Sequence, residues 1–72
     1  MQHYIGMIVG KKLSELRKME GWTQDYLADK LQISRSTLAN YERSARQVPN
    51  ELIPKIAKLF GVRTDYLFGL ED

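Results

Sequence analysis

Apolar residues recur at three- and four-residue intervals along most of the chain, which is the spacing of amphipathic helices. Val9, Leu13 and Leu16 predict a first helix of about 12 residues that ends near Gly21. The apolar stripes predicted for the later helices are Leu27, Ala28 and Leu31; Leu38 and Tyr41; Ile53, Ile56, Ala57 and Phe60; and Tyr66 with Leu67. No stretch is a convincing strand. The pattern predicts an all-α, compact five-helix fold in a single domain, 1–72, with residues 1–7 as an N-terminal extension.

Polar residues at the predicted helix starts mark the boundaries of these elements. Thr23, Ser34, Asn50 and Thr64 are each placed to cap a helix N-terminus. The second and third helices are separated by little more than Gln32 and Ile33, so they must cross at a steep angle. Residues 23–42 therefore predict a helix-turn-helix core whose second helix projects outward.

Four hydrogen-bonding side chains lie on the outward face predicted for that projecting helix: Arg35, Ser36, Thr37 and Asn40. A helix fits the major groove of B-DNA, which is about 12 Å wide, and its N-terminal residues reach base edges. Arginine pairs with guanine and asparagine with adenine, each with roughly 1–3 kcal/mol of base discrimination. We expect these four residues to read bases. The alternative that Arg35 and Asn40 are solvated residues on an exposed helix stays open.

Composition and charge exclude several kinds of site and location. The chain has 72 residues and no cysteine, which excludes disulfides and thiolate metal sites. Net charge is +2 and the sequence pI is about 9.0. Positive residues collect around the third helix and acidic residues near the end of the chain, which suits contact with a polyanion. No apolar run approaches the ~20 residues of a membrane span, and no secretory signal is present, so we expect a cytoplasmic protein.

The segment GKKLSELRKMEGWTQDYLADKLQISRSTLANYE resembles the Cro/C1-type (XRE-like) helix-turn-helix family of phage repressors and bacterial regulators. The matching patterns are GxxLxxLRxxxGxTQ for the first helix and TQxxLAxxLxxSxSTLxxYE for the two-helix core. The ending IAxxFxVxxDYL extends the resemblance over nearly all of the chain after residue 8. The resemblance implies a lambda-repressor-like DNA-binding domain. It also implies a bacterial or phage-encoded protein that is associated with the nucleoid when bound.

The resemblance also implies roles for individual residues. Arg35, Ser36 and Asn40 match the main base-contacting positions, and Thr37 adds a methyl or hydroxyl contact. The positions that match contacts to the DNA backbone are Gln24, Arg43, Arg46 and Gln47. Gln24 would also brace the reading helix.

Two further features concern the surroundings of the reading helix. Arg17 and Glu42 match a structural pair that ties the first helix to the end of the third. Tyr26 is predicted mainly to pack, although its hydroxyl is placed to reach a phosphate. Gln24 also has a simpler interpretation, as a residue of the first helical turn. The same holds for Arg46 and Gln47, which would be ordinary polar loop surface.

The sequence departs from the family pattern at three positions. Gln32 and Ser44 stand where glycine is common, and Val48 stands where proline is usual. A left-handed Gln32 would cost roughly 1–2 kcal/mol. The third departure leaves open the path of the loop that carries Arg46.

The sequence therefore predicts a double-stranded-DNA-binding transcriptional regulator, acting as a repressor and as a homodimer on an operator with two-fold symmetry. Candidate dimer-interface residues are Val62, Tyr66, Leu67, Phe68 and Leu70, with packing in the chain's own core as the alternative.

Other functions are less consistent with the residues. An antitoxin-like or other partner-binding regulator with the same fold is the main alternative, and these residues are also consistent with the DNA-binding part of a longer repressor. Asp25 and Asp29 lie one turn apart, but no nucleophile or third metal ligand accompanies them. We expect no catalytic residues, metal, cofactor, small-molecule ligand or membrane contact.

Overall fold

The computed structural model describes the backbone of residues 2–70 and the side chains of residues 8–70. It contains five helices: α1 (Gln2–Met19), α2 (Gln24–Leu31), α3 (Arg35–Glu42), α4 (Leu52–Phe60) and α5 (Thr64–Leu67). No strand occurs within residues 2–70, so the all-α prediction is confirmed. The first helix has 18 residues rather than about 12, because the segment predicted as an N-terminal extension continues α1 from Gln2.

The hydrophobic core lies where the inner faces of all five helices meet. It consists of Val9, Leu13, Leu16, Leu27, Ala28, Leu31, Leu38, Tyr41, Val48, Ile53, Ile56, Ala57 and Leu67. Taken as whole residues, all buried members of the described chain are hydrophobic, and the polar and charged ones keep some exposure. Val48 belongs to the loop between α3 and α4, and its burial attaches that loop to the core. Among the described residues, none of the helices combines the length and the hydrophobicity of a membrane span.

All five helices end in the same hydrogen-bonded turn. A residue with positive φ donates its N–H to the carbonyl three positions back, and the next residue donates to the carbonyl five positions back. The positive-φ residues are Gly21, Gln32, Ser44, Gly61 and Gly69. The two that are not glycine, Gln32 at φ 59° and Ser44 at φ 61°, border α3 on its two sides.

The predicted side-chain caps are present at the starts of α2 and α3 but absent at the starts of α4 and α5. The Thr23 and Ser34 hydroxyls accept hydrogen bonds from the N–H groups of Tyr26 and Thr37, as predicted. The predicted cap at Asn50 is wrong, because Glu51 is the N-cap of α4 and makes no side-chain cap. There the Leu52 N–H bonds to the Pro49 carbonyl, so a backbone turn begins the helix.

Thr64 is also wrong as a cap, since it is the first residue of α5 and Arg63 precedes it as N-cap without a side-chain cap bond.

Candidate nucleic-acid interface

The inner side of α3 packs closely on α1. Gly10 is buried against α3, and a β-carbon at that position would meet the Tyr41 carbonyl oxygen. The Ser44 hydroxyl would lie 3.3 Å from the same β-carbon. The two helix backbones therefore approach each other without an intervening side chain, which fixes the depth at which α3 sits in the domain.

One carboxylate connects the last residue of α3 to the two preceding helices. The Glu42 carboxylate accepts hydrogen bonds from Arg17 Nε at 2.7 Å, Arg17 Nη2 at 3.1 Å and Gln24 Nε2 at 3.0 Å. Arg17 Nη1 also donates to the Trp22 carbonyl at 2.7 Å. The side chains of Arg17 and Glu42 are 12% and 5% exposed. We call this set the Glu42 cluster, and it holds α3 at a fixed angle to α1 and α2.

The outer side of α3 carries the side chains predicted to read bases. Arg35 and Ser36 are exposed, while Thr37 and Asn40 are half-buried. The Ser34 hydroxyl donates to Thr37 Oγ1 at 2.8 Å, so the Thr37 hydroxyl is already tied to the capping residue. The four residues share the face of α3 that the core does not cover.

Arg43 contacts one of these side chains. Its Nη2 donates to Asn40 Oδ1. An amide oxygen has two lone pairs, so this hydrogen bond leaves one acceptor position and both N–H groups of the amide available to a base. Asn40 thus keeps the donor and acceptor that pairing with adenine requires.

The residues predicted to contact the DNA backbone come before and after α3 in the chain. Gln24 lies at the start of α2 with its amide bonded to Glu42, so the structure shows it bracing the end of α3. Arg43, Arg46 and Gln47 are exposed in the segment that follows α3. The Ala45 and Arg46 N–H groups bond to the Asn40 carbonyl, and the burial of Val48 fixes the other end of this loop.

Tyr26 is 45% exposed on the second helix. Its ring packs on Trp22, with centroids 5.0 Å apart, and the Lys30 ammonium lies 5.1 Å from its centroid. Trp22 in turn packs on Phe60 at 5.2 Å. The aromatic residues at this corner therefore join α2 to α4 by packing, and Tyr26 is the most exposed of the three.

Sequence reasoning missed three contacts around α3. The Asp25 carboxylate lies 3.7 Å from Arg35 Nε. Gly10 allows the close approach of α1, and the signal for it was a glycine directly beside the apolar stripe. Lys55 Nζ bonds to the Leu31 carbonyl at 3.3 Å and approaches Gln32 Oε1 at 3.5 Å, which supports the turn between α2 and α3.

The residues proposed for a dimer interface divide into two groups. Leu67 is fully buried in the chain's own core, so it has no surface for a partner. Val62, Tyr66 and Phe68 are half-buried and pack against that core, whereas Leu70 is 73% exposed. Packing in the core, the alternative left open by the sequence, therefore holds for Leu67.

The described residues contain no group of three or more histidine, cysteine, aspartate or glutamate side chains that could hold a metal ion. Asp25 and Asp29 are both exposed on α2. Asp25 faces Arg35 rather than another carboxylate.

Comparison with known proteins gives one family match and several curated relatives. A family model described as helix-turn-helix matches residues 13–67. The HTH-type transcriptional regulator ImmR of Bacillus subtilis is 41% identical over 66 residues, covering 92% of this chain and 52% of that protein. The HTH-type transcriptional regulator AnsR of the same species is 42% identical over 60 residues, covering 83% of this chain and 52% of that protein.

A third relative carries a functional name. The competence pilus inhibition repressor of Acinetobacter baylyi is 32% identical over 66 residues, covering 92% of this chain and 60% of that protein. The chain thus spans between about one half and three fifths of the length of these relatives.

Proposed function

The chain belongs to the Cro/C1-type helix-turn-helix family, and from that membership we propose that it is a transcriptional repressor that reads an operator in the major groove. The observation that carries the proposal is the two-sided arrangement of α3. The Glu42 cluster holds its inner side, and Arg35, Ser36, Thr37 and Asn40 occupy its outer side. A rigidly held helix with donors and acceptors on its outer face matches the requirements of base recognition.

The base-reading residues have distinct proposed roles. Arg35, the first residue of α3, donates to guanine, and Asn40, one turn further along the exposed face, pairs with adenine. Ser36 and Thr37 make smaller contacts, since a hydroxyl accepts or donates to several bases. Because α3 enters the groove by its N-terminal end, Arg35 and Ser36 reach deepest.

The remaining cations and polar groups supply affinity without sequence information. We assign Arg43, Arg46 and Gln47, exposed in the segment after α3, to the phosphates and sugars on one side of the groove. Gln24 and the Tyr26 hydroxyl are assigned to the phosphates on the other side. Contacts from both ends fix the register of α3 on the duplex.

A single domain of this size makes few base contacts, so we propose that two copies bind an operator with two-fold symmetry. In such a dimer, half-sites lie about 34 Å apart, one helical turn of DNA. Leu70 is the exposed apolar residue nearest the end of the described chain and is the proposed centre of the contact. The relative named as a repressor supports repression as the outcome of binding.

The test is a selection of binding sites from random duplex DNA, followed by footprinting on the selected site. We expect two inverted half-sites separated by one turn of the helix. Arg35→Ala and Asn40→Ala should each relax the preference at a base pair, by roughly 1–3 kcal/mol, while the helical circular dichroism stays unchanged. Lys58→Ala removes an exposed charge from α4 and serves as the control that keeps the wild-type preference. Equal, weak binding to every duplex would contradict the proposal and favour a partner-binding regulator.

A further inference from the structure

Asp25 lies in the first turn of α2 and Arg35 is the first residue of α3, and their side chains form an ion pair between the two helices. The Asp25 carboxylate Oδ1 lies 3.7 Å from Arg35 Nε. We propose that Asp25 is a positioning residue for base recognition, which holds the Arg35 guanidinium in the orientation that discriminates guanine from phosphate. This inference rests on the proposed function, because it concerns how Arg35 chooses its partner on DNA.

The exposure of the pair argues against a role in folding. The side chains of Arg35 and Asp25 are 67% and 77% exposed. Ion pairs this exposed contribute little to stability, since water competes for both charges and side-chain entropy opposes their ordering. The separation of 3.7 Å also exceeds the length of a normal hydrogen bond. When a duplex covers this surface and excludes water, the same attraction becomes stronger.

The position of the carboxylate determines which guanidinium nitrogens stay available. The ion pair with Asp25 is made at Arg35 Nε, so it does not engage the two terminal nitrogens, Nη1 and Nη2. These two nitrogens are a matched fork for the O6 and N7 atoms of guanine. An arginine held at Nε therefore keeps Nη1 and Nη2 free to donate hydrogen bonds to guanine in the major groove.

The negative charge of Asp25 also acts against the wrong contact. Phosphate oxygens attract any arginine, and an unrestrained Arg35 has a flexible side chain that reaches the backbone as readily as the bases. A carboxylate beside the guanidinium offsets part of its charge and repels a nearby phosphate. Asp25 thus lowers the sequence-independent share of binding and raises the base-dependent share.

The experiment compares Asp25→Asn with Asp29→Asn in the wild-type chain. Asp29 is exposed on the same helix one turn later, and no ion pair among the described side chains includes it. Each substitution removes one negative charge and keeps the side-chain shape, so general electrostatic effects are matched. Binding is measured to the selected operator, to operators changed at the base pair whose preference Arg35→Ala abolishes, and to an unrelated duplex.

We expect Asp25→Asn to reduce discrimination at the Arg35-dependent base pair by about five- to tenfold, a fraction of what a bidentate arginine provides. Asp29→Asn should leave that discrimination at the wild-type value. Both variants should bind the unrelated duplex at least as tightly as the wild type, because both lose a charge that repels phosphate. Both should stay fully folded at the temperature of the binding measurement, since loss of the first-turn charge of Asp25 lowers the stability only slightly, and this separates positioning from unfolding.

Two results would overturn the inference. One is unchanged discrimination in Asp25→Asn while Arg35→Ala abolishes it, which would leave the proposed function intact. The other is an equal loss in both asparagine variants, which would indicate a general charge effect. A wild-type chain without any preferred sequence would instead refute the proposed function, and the inference with it.

Discussion

Gly10 of α1 lies so close to the backbone of Tyr41 in α3 that no residue with a β-carbon fits at position 10. A β-carbon built at Gly10 falls well inside 3.0 Å of the Tyr41 carbonyl oxygen, a separation that real β-carbons essentially never show. Glycine is normally unfavourable within a helix, by about 1 kcal/mol relative to alanine. Its presence in the middle of α1 is explained by the position it gives to α3.

Gly10→Ala should therefore destabilise the protein, although alanine is the better helix former. We expect a loss of about 2 kcal/mol in the free energy of unfolding, because the β-carbon meets backbone atoms that have little freedom to move. Urea denaturation followed by circular dichroism measures it. Lys11→Ala, an exposed change at the next position, should alter stability by only a few tenths of a kcal/mol. A Gly10→Ala variant as stable as the wild type would show that the two helices separate easily.

Removing the carboxylate of the Glu42 cluster should be among the costliest single changes. Glu42→Ala leaves the largely buried Arg17 charge and the Gln24 amide without their acceptor, and we expect a loss of about 3 kcal/mol. Glu15→Ala, an exposed acidic residue on α1, is the matched control. The double variant Arg17→Met/Glu42→Leu should recover much of the loss, since it leaves no unpaired charge. Equal stabilities of Glu42→Ala and Glu15→Ala would contradict a structural role for the cluster.

Gln32→Gly should stabilise the protein. Gln32 occupies the left-handed region at φ 59°, where a side chain costs roughly 1–2 kcal/mol that glycine does not incur. Glycine also raises the conformational entropy of the unfolded chain, which offsets part of this gain. We therefore expect the free energy of unfolding, measured by chemical denaturation, to rise by about 1 kcal/mol. Lys30→Gly, two positions earlier inside α2, should instead destabilise by about 1 kcal/mol. The same sign for both glycine variants would argue against strain at Gln32.

Arg46→Ala should weaken binding to all duplexes by a similar factor. A phosphate contact adds affinity through counterion release, so the slope of log K against log salt concentration should fall by about one. Titrations at several salt concentrations measure that slope. Gln47→Ala is the neighbouring control, because an uncharged side chain contributes nothing to counterion release. An unchanged slope in Arg46→Ala would place this arginine away from the phosphates.

Leu70→Ser should weaken binding to the complete operator without changing binding to a single half-site. Leu70 is 73% exposed, so the monomer fold should be unaffected, while affinity for the two-half-site duplex should fall by at least about tenfold. Affinity for one isolated half-site should stay the same. Met19→Ser alters an equally exposed apolar residue at the end of α1 and should have no effect on either duplex. Equal losses on both duplexes would place Leu70 outside a dimer contact.

The helices were predictable because their signals are local. The spacing of Val9, Leu13 and Leu16 identified the core-facing part of α1, and all three are buried. That stripe carries no information about how far the helix continues beyond the core, so the start at Gln2 was missed. Side-chain caps at Thr23 and Ser34 were predictable for the same local reason, whereas α4 begins on a backbone turn that any residue can form.

The site was predictable only as far as residue types and the family resemblance reach. Residue type and periodicity placed Arg35 on the outer face of α3, and the structure finds it exposed there. The resemblance paired Arg17 with Glu42, and the structure brings their side chains together. The contacts of Asp25 with Arg35 and of Gly10 with Tyr41 depend on how two helices meet in space, which no spacing along the chain specifies.

The separation of the two sides of α3 has a consequence for how such a protein diversifies. The groups that hold the helix, at Leu38, Tyr41 and Glu42, point inward and are shared with α1 and α2. Arg35 and Ser36 are exposed and do not belong to the hydrophobic core. Under the proposed base reading, a duplicated copy of this domain would acquire a new DNA target by exchanging a few outward side chains, with its folding left nearly untouched.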